Sequence, residues 1–190
     1  LLMAAVIGFA NGVGIVYLGI SPIVMTLATN GVLQGVALLY SQGTPAGFSS
    51  PMLRWLMTGR LLGMTPVVPL LALFVLFATL LLGRTPFGRR VYGIGNGLRA
   101  ARLAGIPVER TLILVYVLSA LSAALVGVML TGFSGQASLG MGDDYLLPSI
   151  AVVVVGGTLI TGGRGHYLGM LGGVLLLTAL DAVSDRIRGL

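Results

Sequence analysis

Six of the chain's eleven Arg residues fall in one stretch, RTPFGRRVYGIGNGLRAARLAGIPVER at 84–110. They are Arg84, Arg89, Arg90, Arg99, Arg102 and Arg110, against one acid, Glu109. Clustered guanidinium groups can form charge-assisted bonds to carboxylates or phosphates. Within this run a short helix is predicted over Asn96–Gly105, NGLRAARLAG. Asn96 is the expected N-cap. Arg99 and Arg102 share a face, and Ala100, Ala101 and Ala104 add a flat surface of small residues. Gly105 ends the helix and Pro107 follows it. So short a helix is marginal alone. It calls for docking, either on a partner with a groove and acids or on a membrane surface whose lipid phosphates meet the Arg residues.

The remaining chemistry is sparse. GIGNG at 93–97 lacks both the G-x-G-x-x-G spacing and the Gly-Lys-Ser/Thr of a phosphate loop. It is read as a tight turn before the helix. His166 is the single histidine and has no evident partner, so it is read as a loop residue. Asp143 and Asp144 sit among glycines, where solvated acids of an external turn are expected rather than an ion site. The chain has no Cys, and HExxH, CxxC and GxSxG are absent. No cofactor, metal site or catalytic residue is expected. Uncharged hydrogen-bonding groups inside apolar segments remain: Asn11, Thr26, Thr29, Asn30 and Gln34. They suit a neutral polar solute and serve equally as contacts between helices.

These residues must be positioned by elements of a particular class. The chain is 56% hydrophobic and 8% charged, far below the roughly 25% charge of soluble domains. That identifies an integral membrane protein. The apolar stretches do not alternate with polar residues, so helices rather than barrel strands are expected. The predicted fold is all-α, a polytopic transmembrane helix bundle with about five or six spans. The segments are 1–19, 22–40, 67–83, 111–131, a short one at 148–160, and 166–183. Ser21 and Pro22 are expected to open the second. Gly132–Pro148 is too polar to cross lipid, and at membrane depth it is expected to be buried in protein or to line water, as in a re-entrant element. Small residues at Gly8/Gly12, Gly31/Gly35 and Gly165/Gly169/Gly173 are spaced for close helix packing.

The net charge is +6, but its concentration in one interhelical loop argues against a nucleic-acid partner. Short Arg-rich loops stay inside, which places 84–110 in the cytoplasm. The connection at 41–66, with Trp55 and only two Arg, then lies outside.

The run GRRVYGIGNGLRAARLAGIPVER resembles the cytoplasmic loop of permease subunits of bacterial ABC importers of the ribose/xylose/arabinose class. Gly88, Arg89, Tyr92, Gly95, Ala100, Ala101, Arg102, Gly105, Ile106 and Val108 carry the match. YLLPSIAVVVVGGTLITGGRG and LGISPIVMTLAT are similar to two further elements of that family, in the same order. The resemblance departs at Leu146, where the family has an acid, at Pro148, and after Asn96, where an acid is usual.

The resemblance implies a single permease domain over 1–190 containing a coupling loop at 84–110. It implies that Asn96, Arg99, Ala100, Ala101, Arg102, Ala104 and Gly105 form a helix fitting a cytoplasmic ABC ATPase, the only subunit that hydrolyses ATP. Other implied partners are an external solute-binding protein meeting loops 41–66 and 132–147, a second permease copy, and membrane lipid. The expected location is the bacterial inner membrane, and the expected cargo is a monosaccharide or similar small polar solute. The family's permeases have about ten spans of about 20 apolar residues, so a fragment of a longer protein is expected. Alternatives are a branched-chain amino-acid ABC permease, an ATP-independent facilitator or channel, and a non-transport scaffold.

Overall fold

A computed structural model describes residues 1–42, 48–60, 64–159, 162–163, 165 and 167–188. Arg164, His166 and the Asp181 side chain lie outside the described residues. Nine α-helices are found among those described: α1 (Leu2–Tyr17), α2 (Pro22–Ser41), α3 (Pro51–Thr58), α4 (Val67–Arg84), α5 (Pro86–Asn96), α6 (Leu98–Leu103), α7 (Val108–Ser134), α8 (Leu146–Val155) and α9 (Tyr167–Arg188). A 3-10 turn over Asp143–Tyr145 precedes α8. The fold is all-α, as the continuous apolar runs required.

Among the described residues three helices are long and apolar enough to cross a membrane: α2, α4 and α7. Their 20, 18 and 27 residues give lengths of about 30, 27 and 40 Å, against a hydrocarbon core of about 30 Å. α1 and the stretch Gly169–Ser184 of α9 are apolar but shorter. The expected segment at 148–160 is a helix of only 10 residues, about 15 Å long. It stops because Gly157 turns left-handed at φ 82°, and the Thr158 amide donates back to the Val153 carbonyl at 3.1 Å.

The boundaries follow local chemistry. Pro22 and Pro86 occupy first-turn positions of α2 and α5, where a missing N–H costs nothing. Ser21 stands at the N-cap of α2, although its side chain makes no capping bond. Thr85 caps α5 by accepting from the Gly88 amide at 3.3 Å.

The chain divides into two compact units. The first comprises Leu1–Leu73 with Glu109–Asp143. Here α1 lies against α7 through glycine: a Cβ on Gly8 would fall 2.7 Å from the Tyr116 carbonyl oxygen and the Val117 Cα. One on Gly12 would fall 3.0 Å from Ile113 Cα. The second unit comprises Phe74–Val108 with Asp144–Leu190. There α8 meets α9, with a Cβ on Gly156 falling 2.7 Å from Met170 Cα and one on Gly173 falling 2.6 Å from the Val152 oxygen. The Gly8/Gly12 spacing thus marks tight packing, and of the series Gly165/Gly169/Gly173 the last residue does so, whereas Gly165 precedes α9 and faces the Thr158 side chain. Gly31 and Gly35 differ, with nothing within 4 Å of a Cβ at either among the described residues.

Gly8→Ala is therefore expected to lower stability by about 1–3 kcal/mol, because a backbone neighbour cannot move aside as a side-chain tip can. Gly31→Ala should be neutral, or stabilising by up to about 1 kcal/mol through helix propensity. Thermal unfolding of the two variants in detergent micelles compares them directly.

Candidate functional site

Within the Arg-rich stretch, α5 and α6 pack against each other in the second unit, while Arg84 ends α4 and Glu109 and Arg110 lie in α7 within the first unit. α5 is amphipathic, with Gly88 and Ile94 buried and Arg89 and Arg90 exposed. Glycines 93 and 95, expected in a turn, lie inside α5. The break falls at Gly97, which is extended (φ 168°, ψ 112°) and stands at the N-cap of α6. Asn96 is therefore not the cap. It is the last helical residue of α5, whereas a cap residue must leave helical geometry. The far end is as expected: Gly105 adopts φ 74°, and the Ile106 amide donates to the Ala101 carbonyl at 3.0 Å. This closes α6 in a C-terminal glycine turn.

The predicted docking face needs one correction. Ala101 is 3% exposed and Leu103 is 90% exposed. Ala101 is thus covered in this structure and is not part of the outward surface. The outward surface of α6 carries Arg99, Ala100, Arg102 and Leu103, followed by Ala104 and Gly105. Leu103 was missed because small and charged residues drew the reading. The available signal was its i+4 relation to Arg99, which puts both on one face.

The polar residues of the apolar segments separate into two sets. Asn11 and Thr29 join α1 to α2, with the Thr29 hydroxyl 2.6 Å from Asn11 Oδ1 and 2.9 Å from the Met25 carbonyl. One hydroxyl proton serves one acceptor at a time. When it goes to Met25, turning the Asn11 amide lets Nδ2 donate to Thr29 instead. Thr26, Asn30 and Gln34 recur every four residues and form an exposed polar ridge on α2. The Thr26 hydroxyl returns to its own helix, donating to the Pro22 carbonyl at 2.9 Å. Gln34 Nε2 donates to Asp143 Oδ1 at 3.4 Å, a long contact. Gln34 lies seven residues before the end of α2, about 10 Å along its axis.

The segments at 41–66 and 132–147 also meet. Phe48 forms an antiparallel bridge with Gln136, and the Ser49 amide donates to the Gly135 carbonyl at 2.8 Å. α3 lies beside them, and a Cβ on Gly132 would fall 2.9 Å from Leu53 Cγ and Met57 Cγ. α3 was absent from the sequence reading. Its signal was Ser50-Pro51 ahead of Leu53, Leu56 and Met57, a helix start followed by helical apolar spacing. Among the described residues no group of three or more His, Cys, Asp or Glu side chains could hold a metal ion.

Residues 1–188 match the family described as branched-chain amino acid transport system / permease component. The ribose import permease protein RbsC of Bacillus subtilis is 39% identical over 173 residues, which cover 90% of this chain and 54% of that protein. The autoinducer 2 import system permease protein LsrD of Photorhabdus laumondii is 37% identical over 187 residues, covering 95% of this chain and 56% of the relative. LsrD of Yersinia enterocolitica is 36% identical over 192 residues, with the same shares. The chain spans about half the length of the curated relatives it matches. No solved structure matches it.

The burial of α6 separates packing from presentation. Ala101→Leu should destabilise by about 1–3 kcal/mol through overpacking, while Leu103→Ala should stay within about 0.5 kcal/mol of the parent. Thermal melts in detergent of the two variants and the parent supply the comparison.

Proposed function

The chain belongs to the branched-chain amino acid transport system / permease component family, and we propose that it forms part of the membrane-spanning subunit of an ATP-driven importer. It is a multi-pass membrane protein, with three helices among the described residues long and apolar enough to cross a membrane. The proposed setting is the bacterial inner membrane. The proposed cargo is a monosaccharide or similar small polar solute, supported by relatives named for ribose and autoinducer 2 import.

The observation that carries the reading is the outward surface of α6. Arg99, Arg102 and a nearly bare Leu103 stand on a six-residue helix held by a buried Ala101. A helix this short cannot be an independent element. A projecting apolar side chain flanked by guanidinium groups suits a pocket with acids at its rim. The proposed occupant is a separate cytoplasmic ATPase, which alone hydrolyses ATP while this chain supplies no catalytic residue. Nucleotide-driven movement of α6 would switch the helices between two packings, one open to each side. A second permease copy and an external solute-binding protein complete the proposed assembly. The joined segments around Phe48, Ser49 and Gly135 form a continuous surface for the binding protein.

For the solute path the exposed ridge Thr26, Asn30 and Gln34 is the stronger part of the proposal. Asn11 and Thr29 are engaged with each other and serve helix packing. A second reading, an amino-acid cargo, is favoured by the family's description. An ammonium and a carboxylate would call for groups of both signs along the path, and the ridge itself is uncharged.

The test co-expresses the full-length parent with its neighbouring ATPase and captures the permease. The ATPase should co-purify, and Arg102→Glu with Leu103→Asp should cut its recovery by at least about tenfold without loss of membrane insertion. Equal recovery would remove the assignment of α6. No recovery with the unaltered chain would favour an ATP-independent facilitator.

A further inference from the structure

Within the second unit, α5 does more than lead to α6. The Tyr92 hydroxyl donates to the Gly165 carbonyl at 2.9 Å, across 73 residues of sequence. One turn further along α5, Gly95 meets Gly163 backbone to backbone, and a Cβ on Gly95 would run into the Gly163 amide nitrogen. A Cβ on Gly163 would fall 2.5 Å from Asn96 Oδ1 and 3.0 Å from the Asn96 nitrogen. Gly163 also holds φ 83°, a conformation that glycine adopts without strain. Gly162, at φ 86°, lies alongside, its Cβ position 3.4 Å from Gly95 Cα.

This contact stands between two pairs of packed helices. On one side, α6 follows α5 after the single extended residue Gly97, and a Cβ on Gly93 would fall 3.1 Å from Ile106 Cδ1 just beyond α6. On the other side, Gly162, Gly163 and Gly165 lie between α8 and α9, which are themselves packed through Gly156 and Gly173. Asn96 therefore touches the turn as well as ending α5. Close-packed backbone has no rotatable group to absorb a displacement, so it transmits strain. A shift of α5 must move the turn or break the contact.

We infer that Tyr92, Gly95 and Gly163 are positioning residues that carry movement of α6 into the α8–α9 hairpin. The inference rests on the reading of α6 as the ATPase-coupling helix and names the path that its motion takes. Tyr92 fixes the register between α5 and the turn, while the two glycines set the distance. α9 has 22 residues, so a tilt imposed at the turn reaches a point about 30 Å away. α8 moves with it, because Gly156 and Gly173 leave no slack between the two helices.

The test uses the full-length parent, free of other thiols, purified with its ATPase in lipid nanodiscs. A single thiol is introduced by Ser184→Cys, at an exposed position near the far end of α9. Its labelling by fluorescein maleimide is timed with and without ATP plus orthovanadate. Nucleotide should change the labelling rate. Tyr92→Phe should reduce that change by about two- to tenfold, the range expected for one lost hydrogen bond. Gly163→Ala should abolish it. In both variants the ATPase should remain bound and hydrolyse ATP within about twofold of the parent rate, which a general loss of structure would not allow. If Gly163→Ala fails to insert, Tyr92→Phe decides alone. A full labelling change in Tyr92→Phe would overturn the inference, as would hydrolysis falling in step with the change. So would a parent complex whose thiol ignores nucleotide while its ATPase is bound. Absence of the ATPase from the parent complex would remove the coupling reading instead, and this inference with it.

Discussion

Between helices in lipid, apolar side chains gain little by meeting one another, because hydrocarbon tails are equally apolar. What remains is distance: backbones that approach closely gain dispersion and exclude lipid. The structure depends on that constraint at each well-packed place. Gly8 and Gly12 bring α1 against α7, while Gly156 and Gly173 bring α8 against α9. Elsewhere large apolar residues such as Leu39, Leu73 and Leu175 remain exposed, as a lipid-facing surface requires. In water this pattern would be an exposed core. In a bilayer it is the solvated face.

The same constraint explains the polar chemistry. Asn11 and Thr29 lie where α1 and α2 approach, so each satisfies the other. Thr26, Thr131 and Thr178 return their hydroxyls to their own helices, which silences a polar group without a partner. Asn30 and Gln34 are exposed on the same helix. Within the ridge, Thr26 is thus turned back on its own helix and Gln34 reaches Asp143.

Much of this was legible in the residues. α4 and α7 follow from long apolar runs and α2 from an apolar run interrupted by a few polar residues, and the start of α2 and the end of α6 follow from Pro22 and Gly105. The errors share a physical cause. Glycine was treated as a breaker at 93–97, yet within a packed protein glycine also serves as a contact residue inside helices, and Gly95 does so. Ala100 and Ala101 are chemically identical, and local sequence cannot tell which is buried, because that depends on what packs behind α6. Gln34 and Asp143 are 109 residues apart, and Tyr92 and Gly165 are 73 apart. Neither separation leaves a local trace. α8 was overestimated because the apolar run continues past the point where Gly157 reverses the chain.

The meeting of Gly95 with Gly163 has a consequence for how such a chain can drift. At an ordinary contact, a substitution that enlarges one side can be rescued by shrinking the other. Here both sides are already the smallest residue, so no compensating side chain exists. A change at either position can be repaired only by displacing backbone, and displaced backbone alters the spacing of everything attached to it. The contact is closed to gradual revision, while the exposed ridge of α2 can vary one residue at a time. Variation can then accumulate on one part of the chain without disturbing the part whose backbones are in contact.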